Sequence, residues 1–85
     1  MSRKEKLILK LLNPGAVLTF HELESILFHL GYIEKTLGKT AGSRKAYVHE
    51  VSTHIIRIHK PHPQNEIKFY IKNYIISELK NQNLI

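Results

Sequence analysis

The spacing of the apolar residues changes twice along this chain of 85 residues, and the change limits the folds that it can adopt. Near the start, Leu7, Ile8 and Leu11 recur at the spacing of one helix face. From Tyr32 to Lys60, apolar and polar residues alternate as they do in half-buried strands, and helical spacing then returns. Because a helix repeats every ~3.6 residues and a strand every ~2, this order predicts two helices, several strands and a final helix. Such an order is typical of an α+β fold.

Two helices are predicted before the strands. The first covers Arg3 to Leu12 and ends at Asn13-Pro14-Gly15, because proline and glycine interrupt helices. The second has Thr19 as its N-cap, with Glu22 completing a capping box, and Gly31 stands where a C-terminal glycine belongs. The apolar stripes expected to face the core are Leu7, Ile8, Leu11 and Leu12 in the first helix and Phe20, Leu23, Ile26, Leu27 and Leu30 in the second.

Three short strands are predicted next, in one antiparallel sheet. They cover Tyr32 to Thr36, Arg44 to His49 and His54 to Lys60, with a glycine-containing loop after the first and a turn before the third. Pro61 and Pro63 end the third strand because proline has no N–H to donate to a neighbouring strand.

A third helix is predicted at the end of the chain. It runs from Lys68 into the Asn81-Gln82 region. A three-stranded sheet can bury one face under helices and leave the other face open, and we expect residues 1–85 to form one domain of this kind. The stripe of this helix expected to be buried is Ile67, Ile71, Tyr74, Ile75 and Leu79.

The alternation along the strands predicts what the open face carries. If Ala46 and Val48 face the core, their neighbours in the second strand face outward. The open face is then expected to carry Lys45, Tyr47 and His49, beside Ile55, Arg57 and His59. Cations interleaved with an aromatic ring suit contact with phosphates and stacking on bases.

The composition narrows the classes of function. A net charge of +6 and a pI near 9.7 predict attraction to an anionic polymer or an acidic protein. The chain has no cysteine, which excludes disulfides and thiolate metal sites and is compatible with the cytosol. All seven acidic residues are glutamates scattered singly, which disfavours a nuclease that uses two metal ions. No apolar run approaches the ~20 residues of a membrane span, so a cytoplasmic protein is expected.

Basic residues concentrate in the loop before the second strand and in the segment after the third. The closing segment is His59-Lys60-Pro61-His62-Pro63. These positions predict a surface that contacts a phosphodiester backbone, and the alternative is a solvated basic face without a ligand. The candidate RNA-binding residues are Lys39, Ser43, Arg44, Lys45, Arg57 and Lys60.

The histidines of the closing segment allow two kinds of chemistry. His59 and His62 are three residues apart, but no cysteine or aspartate completes a zinc set, so no metal and no cofactor is predicted. An imidazole can instead take a proton from a ribose 2′-hydroxyl or give one to the leaving 5′-oxygen. Such a reaction needs no metal and acts only on RNA. The alternative is that both histidines are structural.

Short motifs follow one another in a fixed order from the second helix onward. In this order and spacing the chain resembles the HicA family of small bacterial toxins. The helix at Arg3 to Leu12 lies outside the shortest family members and is expected to be an addition. The motifs are His21-Glu22-Leu23, Leu30-Gly31-Tyr32, Gly42-Ser43, the strand to Tyr47, the apolar strand Ile55 to Ile58, His62-Pro63 and Glu66-Ile67.

The resemblance implies a fold, an activity and a partner. The fold would be similar to that of double-stranded-RNA-binding domains, with helices against one face of a three-stranded sheet. The activity would be metal-independent cleavage of mRNA by an endoribonuclease (an mRNA interferase), silenced by an antitoxin of the HicB type. Better-known members have a catalytic histidine after Gly-Ser, whereas this chain has Arg44. An arginine cannot act as a base, but it can bind phosphate and stabilise negative charge. The candidate catalytic residues are therefore Arg44 with His62 or His59.

Three functions remain open on the sequence. The preferred one is the mRNA-cleaving toxin of a toxin–antitoxin pair. The second is a module that binds RNA without cutting it, because Arg44 stands in the place of the histidine. The third is a domain whose main role is to dock a protein, with its basic face covered by an acidic, antitoxin-like partner.

Overall fold

The computed structural model describes residues 2–36, 44–61 and 65–85, which form three helices and one three-stranded antiparallel sheet. The fold class is α+β, as predicted. Each predicted helix and strand is present, with ends within one or two residues of those predicted. The elements are α1 (Arg3–Leu12), α2 (Phe20–His29), β1 (Tyr32–Lys35), β2 (Arg44–His49), β3 (Ile55–His59) and α3 (Phe69–Asn81).

Local hydrogen bonds fix where α1 and α2 begin. The Ser2 hydroxyl accepts from the Glu5 N–H at the start of α1. At the start of α2, the predicted capping box is present: the Glu22 N–H donates to the Thr19 hydroxyl at 3.2 Å, and the Thr19 N–H donates to the Glu22 carboxylate at 3.0 Å. Each cap satisfies N–H groups that the helix itself cannot pair.

The three strands are neighbours in chain order, β1-β2-β3. The sheet packs one face against α2 and α3, and α1 packs on those two helices rather than on the sheet. The core between the helices and the sheet is apolar, as the stripe of α2 predicts. Its largest buried side chains are Tyr32, Tyr47, Phe20, Leu11, Leu18, Leu23, Ile26, Leu27, Ile56, Ile75 and Leu79.

A short backbone bridge joins the start of α2 to the segment before α3. The Phe20 N–H donates to the Asn65 carbonyl, and the Ile67 N–H donates to the Leu18 carbonyl, each at 2.7 Å. The bridge holds Ile67 in the core, where it is 6% exposed. No local pattern predicts this bridge, because it pairs residues far apart in the chain. Across the ranges 2–36, 44–61 and 65–85, no helix is long and apolar enough to cross a membrane.

The stripe predicted for α3 is partly wrong. Ile75 and Leu79 are buried as expected, but Tyr74 is 38% exposed and Lys72 is only 4% exposed. The Lys72 ammonium donates to the carbonyls of Lys10, Asn13 and Ala16 at 3.3, 2.8 and 2.9 Å. It therefore stabilises the C-terminal end of α1, where unpaired carbonyls and the helix dipole favour a cation.

Glu22 also pairs with Lys10, across α1 and α2, at 2.6 Å. Burial raises the pKa of Glu22, but hydrogen bonds from Lys10 and Thr19 outweigh it and hold the pKa below 4.5. A carboxyl whose pKa is lowered by folding stabilises the protein when the pH is above the pKa of that group in the unfolded chain. This contribution is lost as the pH falls through the pKa of the folded state.

Glu22→Gln is expected to reduce the acid sensitivity of the fold. Glutamine keeps the oxygen that accepts from Thr19 but removes the charge, so the variant isolates the ion pair. Because the pair is partly exposed, we expect a loss of about 0.5 kcal/mol at pH 6 and none at pH 3, measured by urea unfolding. An equal difference between variant and wild type at both pH values would contradict this assignment.

Candidate nucleic-acid interface

The strand register arranges the open face of the sheet in rows. Lys35, Ala46 and Arg57 form one row across the three strands. On one side of this row, Arg44 of β2 lies directly opposite His59 of β3. On the other side lies an apolar row made of Ile33, Val48 and Ile55. One end of the open face is therefore cationic and the other is apolar.

Arg44 and His59 form a close cross-strand pair. The Glu50 N–H donates to the Gly31 carbonyl at 2.9 Å, so the even-numbered residues of β2 point their backbone groups toward β1. Arg44 and His59 are therefore a non-hydrogen-bonded pair, in which Cβ atoms lie about 4.5–5.5 Å apart. Both side chains are exposed, so a guanidinium and an imidazole can reach one phosphate from this position.

The predicted assignment of faces in β2 is wrong by one residue. Tyr47 lies on the helix face and is fully buried, directly opposite the buried Ile56. Lys45 and His49 share that face, and Lys45 donates to Glu34 at 3.1 Å. Ala46 and Val48 lie on the open side instead, opposite Arg57 and Ile55, although Ala46 itself is buried there. The prediction failed because β2 has apolar residues on both faces, so its alternation alone fits either orientation.

A hydrogen bond allows Tyr47 to be buried. Its hydroxyl donates to the Glu24 carboxylate of α2 at 2.5 Å, and its ring contacts Phe28 edge to face. Burial raises the pKa of Tyr47, and the hydrogen bond to Glu24 raises it further. Tyr47 is thus a neutral core residue that anchors the sheet to α2, and it is not available for stacking on a base.

His49 and His54 hold the fold together and do not lie on the open face. His49 Nδ1 accepts from the Val51 and Ser52 N–H groups, which leaves Nε2 to donate to the Leu30 carbonyl at 2.9 Å. His54 lies between the Tyr32 hydroxyl at 2.7 Å and the Glu78 carboxylate at 3.2 Å. Among the histidines of β2, β3 and the turn between them, His59 is the one placed for chemistry on the open face.

The other predicted site residues divide into two groups. Lys60 is exposed and follows β3, but its ammonium lies 5.9 Å from the centre of the Phe20 ring of α2, on the helix side of the sheet. Lys39, Ser43 and His62 lie outside the described residues. Within the described part of the chain, no group of three or more histidine, cysteine or acidic side chains could hold a metal ion.

A groove beside the cationic end was not predicted. It has a volume of about 390 Å³ and lies between β3 and α3. Tyr70 and Tyr74, which are 67% and 38% exposed, stand one helical turn apart along it. Two tyrosines at i and i+4 are the one sequence signal for this groove, whereas the helical stripe predicts that Tyr74 is buried. The lining residues are Arg57, Ile58, His59, Tyr70, Ile71 and Tyr74.

Comparisons with known proteins identify no relative: no family model, no curated protein and no solved structure matches this chain. What the protein does must therefore be inferred from its own residues.

Proposed function

We propose that this chain is a cytoplasmic RNA-directed protein, and specifically an endoribonuclease toxin that cleaves mRNA without a metal ion. The pairing of Arg44 with His59 on the open face carries the proposal. It brings together a permanent cation and an imidazole, two groups that can support metal-independent cleavage of RNA.

In this proposal Arg44 and His59 act on one phosphodiester. The ribose 2′-oxygen attacks phosphorus and forms a bond to it, and the bond from phosphorus to the 5′-oxygen breaks. The products are a 2′,3′-cyclic phosphate and a 5′-hydroxyl. One imidazole takes the 2′-hydroxyl proton and, as imidazolium, returns it to the leaving 5′-oxygen directly or through water, while Arg44 stabilises the charge on the phosphorane. Among the described residues, His59 is the candidate for this imidazole, and His62 is the second candidate.

Two observations support a HicA-type reading of the fold. The order α2-β1-β2-β3-α3 is that of a double-stranded-RNA-binding domain, and both helices pack on the same face of the sheet through Tyr47 and His54. With α1 as an addition to this unit, we infer that the fold is of that type. An antitoxin of the HicB type would then cover the cationic end, and the charge of +6 favours an acidic partner.

Binding without cleavage is the alternative. It is favoured by Arg44 in the place of the family's histidine, and by the structural roles of His49 and His54. In that case Lys35, Arg44 and Arg57 would hold the phosphate backbone and the RNA would leave intact. If the domain mainly docks a protein, Lys35, Arg44 and Arg57 would not be needed to hold RNA.

The decisive experiment is an RNA cleavage assay on the purified chain with EDTA present. Cleavage of a single-stranded RNA to 5′-hydroxyl products is expected, and a 2′-deoxy residue at the scissile position should block it. Arg44→Ala should lower the rate at least ~100-fold, because it removes charge stabilisation at the phosphate. His59→Ala should lower it by a similar factor if His59 is the proton-transfer group.

RNA affinity separates the two candidate functions. Arg44→Ala and Arg57→Ala should each weaken binding at least ~10-fold at physiological salt and lower the salt dependence by about one phosphate contact. Arg3→Ala is the matched control, since Arg3 is also exposed but lies on α1, and its affinity should stay within about two-fold. Intact RNA with full affinity would support binding without cleavage. No RNA affinity at all would overturn both and leave protein docking.

A further inference from the structure

The groove between β3 and α3 combines three kinds of group along one short edge. Ile58, which is 5% exposed, and Ile71 provide apolar surface, Tyr70 and Tyr74 provide exposed rings, and Arg57 and His59 provide cationic or titratable groups. The volume of about 390 Å³ falls within the ~300–1,000 Å³ of pockets that hold small ligands. The groove is therefore large enough for a nucleobase with its sugar.

The backbone of β3 adds donors and acceptors to this groove. The His49 N–H donates to the His54 carbonyl at 2.9 Å, so the odd-numbered residues of β2 pair with the even-numbered residues of β3. The N–H and C=O groups of Arg57 consequently point away from β2, toward the outer edge of the sheet. Within residues 2–36, 44–61 and 65–85, no strand pairs with that edge. A planar base placed there can find both a donor and an acceptor.

We propose that this groove is a base-binding subsite, which takes one unpaired nucleobase of an RNA strand whose backbone lies on the cationic end of the open face. The inference rests on the proposed RNA-directed function. Arg57 belongs to both surfaces, because it is in the row with Lys35 and also lines the groove. The RNA strand leaves the cationic end of the open face over the edge of β3, and one of its bases stacks on Tyr70 or Tyr74. A paired base cannot enter, since its edge and face are already occupied by its partner and neighbours.

The charges favour RNA over an added peptide strand. Exposed edges that accept another strand are usually long and uncharged, whereas arginine, lysine and proline discourage strand addition. The outer edge of β3 is short, carries Arg57 and His59, and is followed by Lys60 and Pro61. Exposed aromatic rings beside cations are typical of surfaces that bind single-stranded nucleic acid.

The test compares two octamers with the same number of phosphates: an oligouridylate and an abasic oligoribonucleotide. The wild-type chain should bind the oligouridylate more tightly than the abasic strand. The double variant Tyr70→Ala/Tyr74→Ala should lose at least ~5-fold in affinity for the oligouridylate and should bind the abasic strand as the wild type does. Tyr70→Phe/Tyr74→Phe keeps both rings and should retain the wild-type preference.

Phe69→Ala is the matched control for loss of an aromatic ring. Phe69 is 59% exposed at the start of α3 but does not line the groove, so its removal should leave both affinities unchanged. Circular dichroism of each variant checks that the fold is kept.

The outcomes distinguish this subsite from the general function. If Arg57→Ala weakens RNA binding while the double alanine variant matches the wild type, the subsite is overturned and the proposed RNA-directed function stands. If the wild type binds neither octamer, both proposals fall. An acidic peptide is the third probe. If Tyr70→Ala/Tyr74→Ala keeps the wild-type affinity for both octamers but loses binding of this peptide, the groove is a peptide site and the inference is wrong.

Discussion

Gly31→Ala is expected to lower the free energy of unfolding by about 3 kcal/mol, which combines a strained backbone with a steric clash. Gly31 lies just after α2 and has a φ of +97°, a backbone conformation that residues with a side chain rarely adopt. An added Cβ would also lie 2.8 Å from His49 Nε2. The imidazole cannot move aside freely, because Leu30, Val51 and Ser52 hold it by hydrogen bonds on both ring nitrogens.

Gly15→Ala is the matched control for this substitution. A Cβ at Gly15 would meet only the Asn13 side-chain oxygen at 3.5 Å, which is ordinary contact. Its stability should therefore stay within about 1 kcal/mol of the wild type in urea or thermal unfolding. The double variant Gly31→Ala/His49→Ala should show less than the summed loss, because the clash is absent. Equal stability of the two single glycine variants would show that the Gly31 conformation carries no cost.

Lys72→Met is expected to destabilise the protein by about 2–3 kcal/mol, because it leaves three carbonyls without their common donor. Methionine keeps the unbranched apolar stem but removes the ammonium that lies at the end of α1. Burial lowers the pKa of Lys72, and the nearby Lys10 ammonium lowers it further, so the site does hold this cation at a cost. For a domain of this size the loss corresponds to a fall in Tm of roughly 10–20 °C.

Lys80→Met on the same helix provides the control for Lys72→Met. Lys80 is exposed, and removing its charge should change the stability by no more than about 0.5 kcal/mol. If Lys72→Met were as stable as the wild type, the ammonium would contribute no more to folding than the methionine that replaces it. The contacts with Lys10, Asn13 and Ala16 would then have no net value, as some buried polar contacts do.

The prediction of elements succeeded where the causes were local. The capping box of Thr19 and Glu22 and the positive φ of Gly31 depend on a few neighbouring residues, and both are present as expected. The open face was predicted less well. Arg57 and His59 lie on it, but Lys45 and Tyr47 do not, because β2 could turn either side to the core and Glu24 decides the matter by accepting from Tyr47.

The sequence by itself determined the α+β order, the ends of the helices and the excess of positive charge, since each follows from spacing, caps or composition. Only the tertiary structure decided which cations share a surface. Arg44 and His59 meet because two strands pair in one register, and the tyrosine groove exists because α3 passes the edge of β3. The burial of Lys72 also depends on the tertiary structure, because the carbonyls that accept from its ammonium belong to residues about sixty positions earlier in the chain. Contacts between distant residues depend on register and packing, and no local pattern encodes them.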